Sequence, residues 1–251
     1  MMALTIAGRE LRTMFLSPLA WSILAVIQII LAYMFLAQID WFLMMQPRMA
    51  GMEDAPGVTD LIVAPLFGNA GVILLLVTPL LTMRLISEER RNRTLSLLFT
   101  APVSMTEIVL GKYLGVFGFL MIMVVMIALM PLSLLAGGGL DGGKLAACVL
   151  GLVLLLGGFA ALGLYISALA NQPTVAAVST FGALLLLWIV DWSGNAVQSA
   201  SGALEYVSML RHYENLLKGL VNTSDLIYFV LFIATFLVLS VHRLDNDRLQ
   251  Q

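Results

Sequence analysis

Six runs of roughly twenty apolar residues constrain this chain more than anything else in it. They lie at 19–39, 65–83, 113–136, 145–168, 174–192 and 225–242. About 20 such residues carry an α-helix across the hydrocarbon core of a bilayer, where every backbone polar group must be satisfied within the segment. The sequence therefore predicts an all-α, polytopic membrane protein with six transmembrane helices. Composition agrees, with 61% hydrophobic and 11% charged residues and a mean hydropathy of +0.99. A soluble domain carries about 25% charged residues, so this chain has too little polar surface to coat a body in water. Its first run is too long for a secretory signal and has no small-residue cleavage site. The single cysteine, Cys148, sits inside an apolar run and reads as a packed thiol.

An even number of spans places both termini on one side, and basic residues in the loops choose that side. Arg9, Arg12, Arg84, Arg90, Arg91, Arg93, Lys112, Arg243 and Arg248 fall together on one face, nine of the 13 lysines and arginines. Arg48, Lys144, Arg211 and Lys218 fall on the other, with most of the loop carboxylates. The N- and C-termini are thus expected to be cytoplasmic. Outside, the stretches 40–64 and 193–224 are too short for a folded domain. Apolar spacing at Leu204, Val207, Leu210, Leu216, Leu217 and Leu220 suggests short amphipathic helices at the outer interface or dipping into it.

Two cytoplasmic segments have an internal logic. In residues 3–16, Leu4, Ala7, Gly8, Leu11 and Phe15 share one helical face, and Arg9 and Arg12 lie on the opposite one. That pattern predicts an amphipathic helix on the membrane surface, broken at Ser17-Pro18. Between the second and third spans, Ser87 is placed to N-cap a helix whose first turn holds Glu88 and Glu89. Leu95, Leu98 and Phe99 form a stripe, Ala101-Pro102 stops the helix, and Ser104-x-x-Glu107 is a capping box opening the next one. Several charges so close together stay out of hydrocarbon and face something in water.

Other chemistry finds little support. Gly138-Gly-Leu-Asp-Gly-Gly143-Lys144 imitates part of a phosphate-binding loop, but Leu145 stands where Ser or Thr is needed and no strand precedes it. No ATPase is expected in this chain. Its two histidines, His212 and His242, lie on opposite sides, so no metal site is expected. No G-x-S-x-G occurs, and a non-catalytic role is expected. Ion-coupled carriers place ionisable groups at mid-membrane; only Gln28 is strongly polar near a span centre, as a candidate pathway residue whose ordinary use would be an interhelical hydrogen bond.

The order of these elements resembles the membrane subunit of ABC-2 type transporters, in particular the gliding-motility and copper-processing permease branch, over the whole of residues 1–251. Ala7-Gly-Arg-Glu-Leu-Arg-Thr-Met-Phe-Leu-Ser-Pro18 is similar to that family's interface helix (1–18), and Glu88-Glu-Arg-Arg-Asn-Arg-Thr-Leu-Ser-Leu-Leu-Phe-Thr-Ala-Pro-Val-Ser104 to its coupling helix within the segment 84–107. The stretch His212–Tyr228 is similar to the end of its external segment (193–224) and the start of the last span. The family usually has Gly before the Thr-Leu pair, where this chain has Arg93, and often Glu after it, where this chain has Ser96.

The resemblance implies one transmembrane domain that pairs with an identical or homologous membrane subunit. It implies two copies of a separate ABC ATPase subunit beneath, which hold ATP and Mg; this chain itself binds no cofactor. Glu88, Glu89, Arg90, Arg91 and Arg93 would make charged contacts to the ATPase, with Thr94, Leu97, Leu98 and Pro102 packing beside them and Arg9, Glu10 and Arg12 contributing from the interface helix. Arg90→Glu with Arg91→Glu is then expected to uncouple ATP hydrolysis from transport while sparing the spans. The setting would be a bacterial cytoplasmic membrane, with no nucleic-acid partner and with room for an accessory protein that has a periplasmic domain. Short outer loops lean toward export. A related subunit that transmits force or signal without carrying substrate, or less readily an ion-coupled carrier, is the alternative.

Overall fold

A computed structural model describes residues 2–49, 57–94, 103–134, 140–196 and 208–249. Among them the helices are α1 (Met2–Leu16), α2 (Pro18–Met49), α3 (Ala64–Thr82), α4 (Ser87–Arg91), α5 (Met105–Leu132), α6 (Gly142–Leu169), α7 (Pro173–Ala196), α8 (Met209–Leu217) and α9 (Thr223–Leu249). A π-helical turn, Thr59–Val63, runs directly into α3. No strand occurs among the described residues. Five helical stretches, built on α2, α3, α5, α6 and α9, are long and apolar enough to cross a membrane. The apolar part of α7 found in the described residues, Pro173–Ile189, is shorter.

Local chemistry sets several of these boundaries. Ser104 caps α5 by accepting from the Glu107 N–H at 3.2 Å, while the Glu107 carboxylate accepts from the Ser104 N–H at 3.3 Å, which is the expected capping box. Asp141 caps α6 in the same way, accepting from Gly143 and Lys144. Ser17-Pro18 separates α1 from α2, and Pro173 opens α7 at its first helical position. One boundary departs from expectation: α2 continues ten residues beyond its predicted end, so Asp40 through Met49 are helical rather than loop. At 1.5 Å per residue its 32 residues reach about 48 Å, well beyond a hydrocarbon core of about 30 Å.

The bundle is organised around α6, the most buried of the long helices, which touches α3, α5, α7, α8 and α9. Glycines on α6 permit close approach. A Cβ on Gly163 would meet Thr82 Oγ1 of α3 at 2.3 Å, and one on Gly157 would crowd Ile233 of α9 and the Tyr113 hydroxyl of α5. In a bilayer, where lipid is as apolar as leucine, such small-residue contacts hold helices together. By contrast α2 and α9 are largely uncovered, exposing Ile29, Tyr33, Leu36 and Met44 on one and Val230, Leu231 and Val238 on the other. Those side chains are the lipid-facing surface of a membrane protein.

Candidate functional site

The charged segment between α3 and α5 gathers three elements at one end of the bundle. Lys112, in the second turn of α5, is only 3% exposed. Its ammonium bonds Glu10 of α1 at 2.8 Å and Glu89 of α4 at 2.7 Å. The sequence counted Lys112 among the solvated loop charges; the structure buries it as the joint of the two cytoplasmic-type helices and a span. Two carboxylates repay the desolvation of one ammonium, an arrangement that survives burial only with partners of this quality. Glycines let α1 come close enough. A Cβ on Gly111 would lie 2.6 Å from Ile6 Cβ and 2.9 Å from the Ala3 carbonyl, and one on Gly115 would lie 2.7 Å from Glu10 Cβ.

Arg90 makes a second joint. Its guanidinium donates to the Ala168 carbonyl at 2.7 Å, to Asn171 Oδ1 at 3.5 Å, and to Asp247 of α9, which also pairs with Arg243 at 3.3 Å. Thus Glu10, Glu89 and Arg90, all expected to face a partner, are turned inward and spent on the fold. Arg90→Glu would break that joint, so the expectation that Arg90→Glu with Arg91→Glu spares the spans does not stand. Arg9, Arg12, Arg91, Arg93 and Thr94 are exposed, and Glu88 is half-buried. Leu97, Leu98 and Pro102 lie outside the described residues, as does the whole predicted stripe of Leu95, Leu98 and Phe99. Gln28 is half-buried, and its buried Nε2 has no hydrogen bond among the described residues, so the interhelical bond expected of it is not made there.

Helix α4 is much shorter than predicted, and its caps explain why. Ser87 is not its N-cap. It is the first helical residue, and its hydroxyl donates backward to the Met83 carbonyl. The capping is done from a distance by Ser167 of α6, whose Oγ accepts from the N–H groups of Ile86 at 3.1 Å and Ser87 at 3.2 Å. At the other end Thr94 N–H bonds the Glu89 carbonyl at 2.9 Å and Arg93 N–H bonds the Arg90 carbonyl at 3.2 Å. That pair of bonds is a Schellman closure, which needs a left-handed residue between them. Arg93 supplies it at φ 58°, the only non-glycine at positive φ among the described residues. Glycine adopts this conformation without a Cβ penalty, which is a physical reason for the glycine usual at this position.

At the opposite end, α8 is inserted among the spans. Met209 and Leu216 pack on Gly158 and Gly151 of α6, and Tyr213 packs on Gly71 of α3. Gly158 is about 24 Å along α6 from Gly142 at 1.5 Å per residue, so α8 reaches to mid-bundle, dipping inward as the sequence suggested. Its buried face is Met209, His212, Tyr213 and Leu216; of the predicted apolar positions Leu216 is buried, Leu210 and Leu217 are half-buried, Leu220 is exposed, and Leu204 and Val207 lie outside the described residues. Polar members of that face are satisfied. His212 Nδ1 lies 2.6 Å from Asp225 Oδ1 of α9, and Tyr228 stacks on its ring at 4.2 Å. Asn215 Nδ2 reaches the same carboxylate, and the Tyr213 hydroxyl donates to the Phe67 carbonyl at 2.7 Å. The sequence missed Asp225 because it begins the last apolar run and looked like a loop charge; it is 2% exposed.

A family model described as ABC-2 family transporter protein matches residues 4–249, nearly the whole chain. No curated protein matches it.

Proposed function

The chain belongs to the ABC-2 transporter family, a membrane transport component, and from that premise we propose that it is the permease subunit of an ATP-driven exporter. It crosses the bacterial cytoplasmic membrane six times with both termini in the cytoplasm, α7 supplying the sixth crossing. It pairs with an identical or homologous membrane subunit above two copies of an ABC ATPase subunit, where ATP and Mg are bound.

The observation that carries this reading is the division of labour within α4. Glu89 and Arg90 are tied inward to Lys112, Ala168 and Asp247, while Arg91 on the same short helix and Arg93 in the turn that closes it are exposed. An ATPase that moves α4 through Arg91 and Arg93 therefore pulls at once on α1, α5, the α6–α7 turn and the end of α9. Charge that steers a partner is exposed and positive here, and charge that transmits displacement is buried and paired.

The test is capture of the partner. The chain is isolated from its native membranes with whatever ATPase it carries, as wild type and as Arg91→Glu with Arg93→Glu. Both side chains are exposed, and an unchanged elution profile of the double variant checks that folding survives. An ATPase subunit retained by the wild type and lost from the double variant is the expected result. Equal retention by both would remove α4 as the docking element, and a wild-type preparation without any nucleotide-binding subunit would overturn the proposal itself.

A further inference from the structure

Between α1, the start of α2, the end of α3 and α4 lies a cavity of about 360 Å³. Six charged groups line it. Lys112, Glu10 and Glu89 pair with one another and leave one negative charge over. The other three, Arg9, Arg84 and Glu88, have no hydrogen-bond or ion-pair partner for their side chains among the described residues. Most of the remaining lining is apolar, including Met14, Leu81 and Leu85, with Leu19 and Leu80 40% and 45% exposed; Thr13, Ser17 and Asn92 are its polar members. Trp21, one turn into α2 and 59% exposed, donates its indole N–H to the Phe15 carbonyl at 2.9 Å. Exposed tryptophan marks the level of lipid headgroups. The cavity therefore sits where the outer surface changes from charged to apolar.

We propose that this cavity is a binding site for a membrane phospholipid with a primary-amine headgroup, its phosphodiester held by Arg9 and Arg84 and its ammonium by Glu88. Guanidinium groups hold phosphate oxygens through paired charge-assisted hydrogen bonds, and basic pockets between helices at the membrane surface take lipid headgroups. Glu88 adds the selectivity. An ammonium donates hydrogen bonds to a carboxylate; a quaternary choline has no N–H to donate, and a glycerol headgroup carries no positive charge. The apolar part of the lining suits acyl chains, which a soluble anion lacks. A lipid seated here bridges α1, which buries none of its own residues, to the end of the second span.

The experiment is native mass spectrometry of the intact complex from nanodiscs of phosphatidylcholine doped with phosphatidylethanolamine or phosphatidylglycerol. Wild type should retain phosphatidylethanolamine in preference to both others, and added inorganic phosphate should not displace it. Arg9→Gln with Arg84→Gln should lower retention roughly tenfold, the loss expected for one charge-assisted phosphate contact. Glu88→Gln should keep a bound phospholipid and lose the preference for the amine headgroup. Both arginine side chains are exposed, and an unchanged elution profile and thermal stability separate lipid loss from misfolding. Displacement by inorganic phosphate, equal retention by the double variant, or a headgroup preference unaffected by Glu88→Gln would each overturn the assignment. So would a cavity found filled by a segment of the ATPase.

Discussion

Among the described residues, helices α1 and α8 are amphipathic elements too short to cross the membrane, and the same devices seat both. Each lies on glycines of a span, Gly111 and Gly115 under α1 and Gly71, Gly151 and Gly158 under α8. Each is fastened through an acid–base pair, Glu10 to Lys112 and His212 to Asp225. Their surroundings differ. Four residues of α8 are buried, among α3, α6, α7 and α9, whereas none of α1 is. A helix enclosed on several sides can only move with the bundle. Helix α1 packs mainly on α5, with a smaller contact to α2, and is tied to α4 through Lys112. The same parts thus enclose one helix and leave the other open on its outer side, an asymmetry that the proposed drive from one face would use.

Disturbing the two seats alike should break the comparison open most widely. A Cβ on Gly151 would lie 3.0 Å from Leu216 Cβ and 3.3 Å from Tyr213 Cε2, neither of which has room to move. Gly151→Val should cost roughly 3 kcal/mol, the upper end for overpacking, and appear as a large fall in thermal stability of the purified complex. Gly111→Val strikes Ile6 and the Ala3 carbonyl even harder. Because α1 is covered on one side only, it should destabilise the bundle less than Gly151→Val does while loosening α1, read as faster thiol labelling of Ile6→Cys. Equal destabilisation by the two variants would show that α1 is as integral as α8.

The Lys112 joint sharpens the contrast at its most charged point. Lys112→Met removes the shared cation and leaves Glu10 and Glu89 facing each other without compensation. Removing one partner of a buried pair costs 3–5 kcal/mol. These carboxylates keep 25% and 28% side-chain exposure, so about 2 kcal/mol is expected after solvent screening. Adding Glu10→Gln and Glu89→Gln to Lys112→Met should restore most of the stability, because the cost lies in the unpaired charges. Coupling to the ATPase should stay impaired in the triple variant, since α1, α4 and α5 no longer share an ionic joint. Recovery of both properties would mean that the joint serves folding alone.

What could be read in advance follows the range of the interactions. The apolar runs announced the long helices because membrane burial depends on composition over twenty residues, and the capping box at Ser104 was legible because its two members are three residues apart. The α4 end was not. Ser167 caps a helix 80 residues earlier, and Arg90 meets Asp247 across 157. Without those partners Ser87 looked like the cap and Glu89 and Arg90 like free surface charge. The same gap hid the buried face of α8. A histidine and a tyrosine are poor candidates for burial until Asp225 and the Phe67 carbonyl are beside them, so of that buried face only Leu216 was legible.

The smallest expected effect compares two helix ends of identical geometry. Helix α8 closes as α4 does: Leu220 N–H bonds the Asn215 carbonyl at 3.0 Å, and Gly219 N–H bonds the Leu216 carbonyl at 3.0 Å. Gly219 holds φ 82°, the role that Arg93 fills at φ 58°. A side chain in the left-handed region costs about 1 kcal/mol relative to glycine. Gly219→Ala should therefore lower stability by that amount, and Arg93→Gly should raise it by a similar one, both read from thermal unfolding of the same preparation. The arginine is retained at a position that favours glycine on backbone grounds alone. If it is kept for the partner, Arg93→Gly should gain stability and lose ATPase affinity together. A variant that gains stability and keeps its affinity would leave Arg91 as the principal contact and confine Arg93 to the turn.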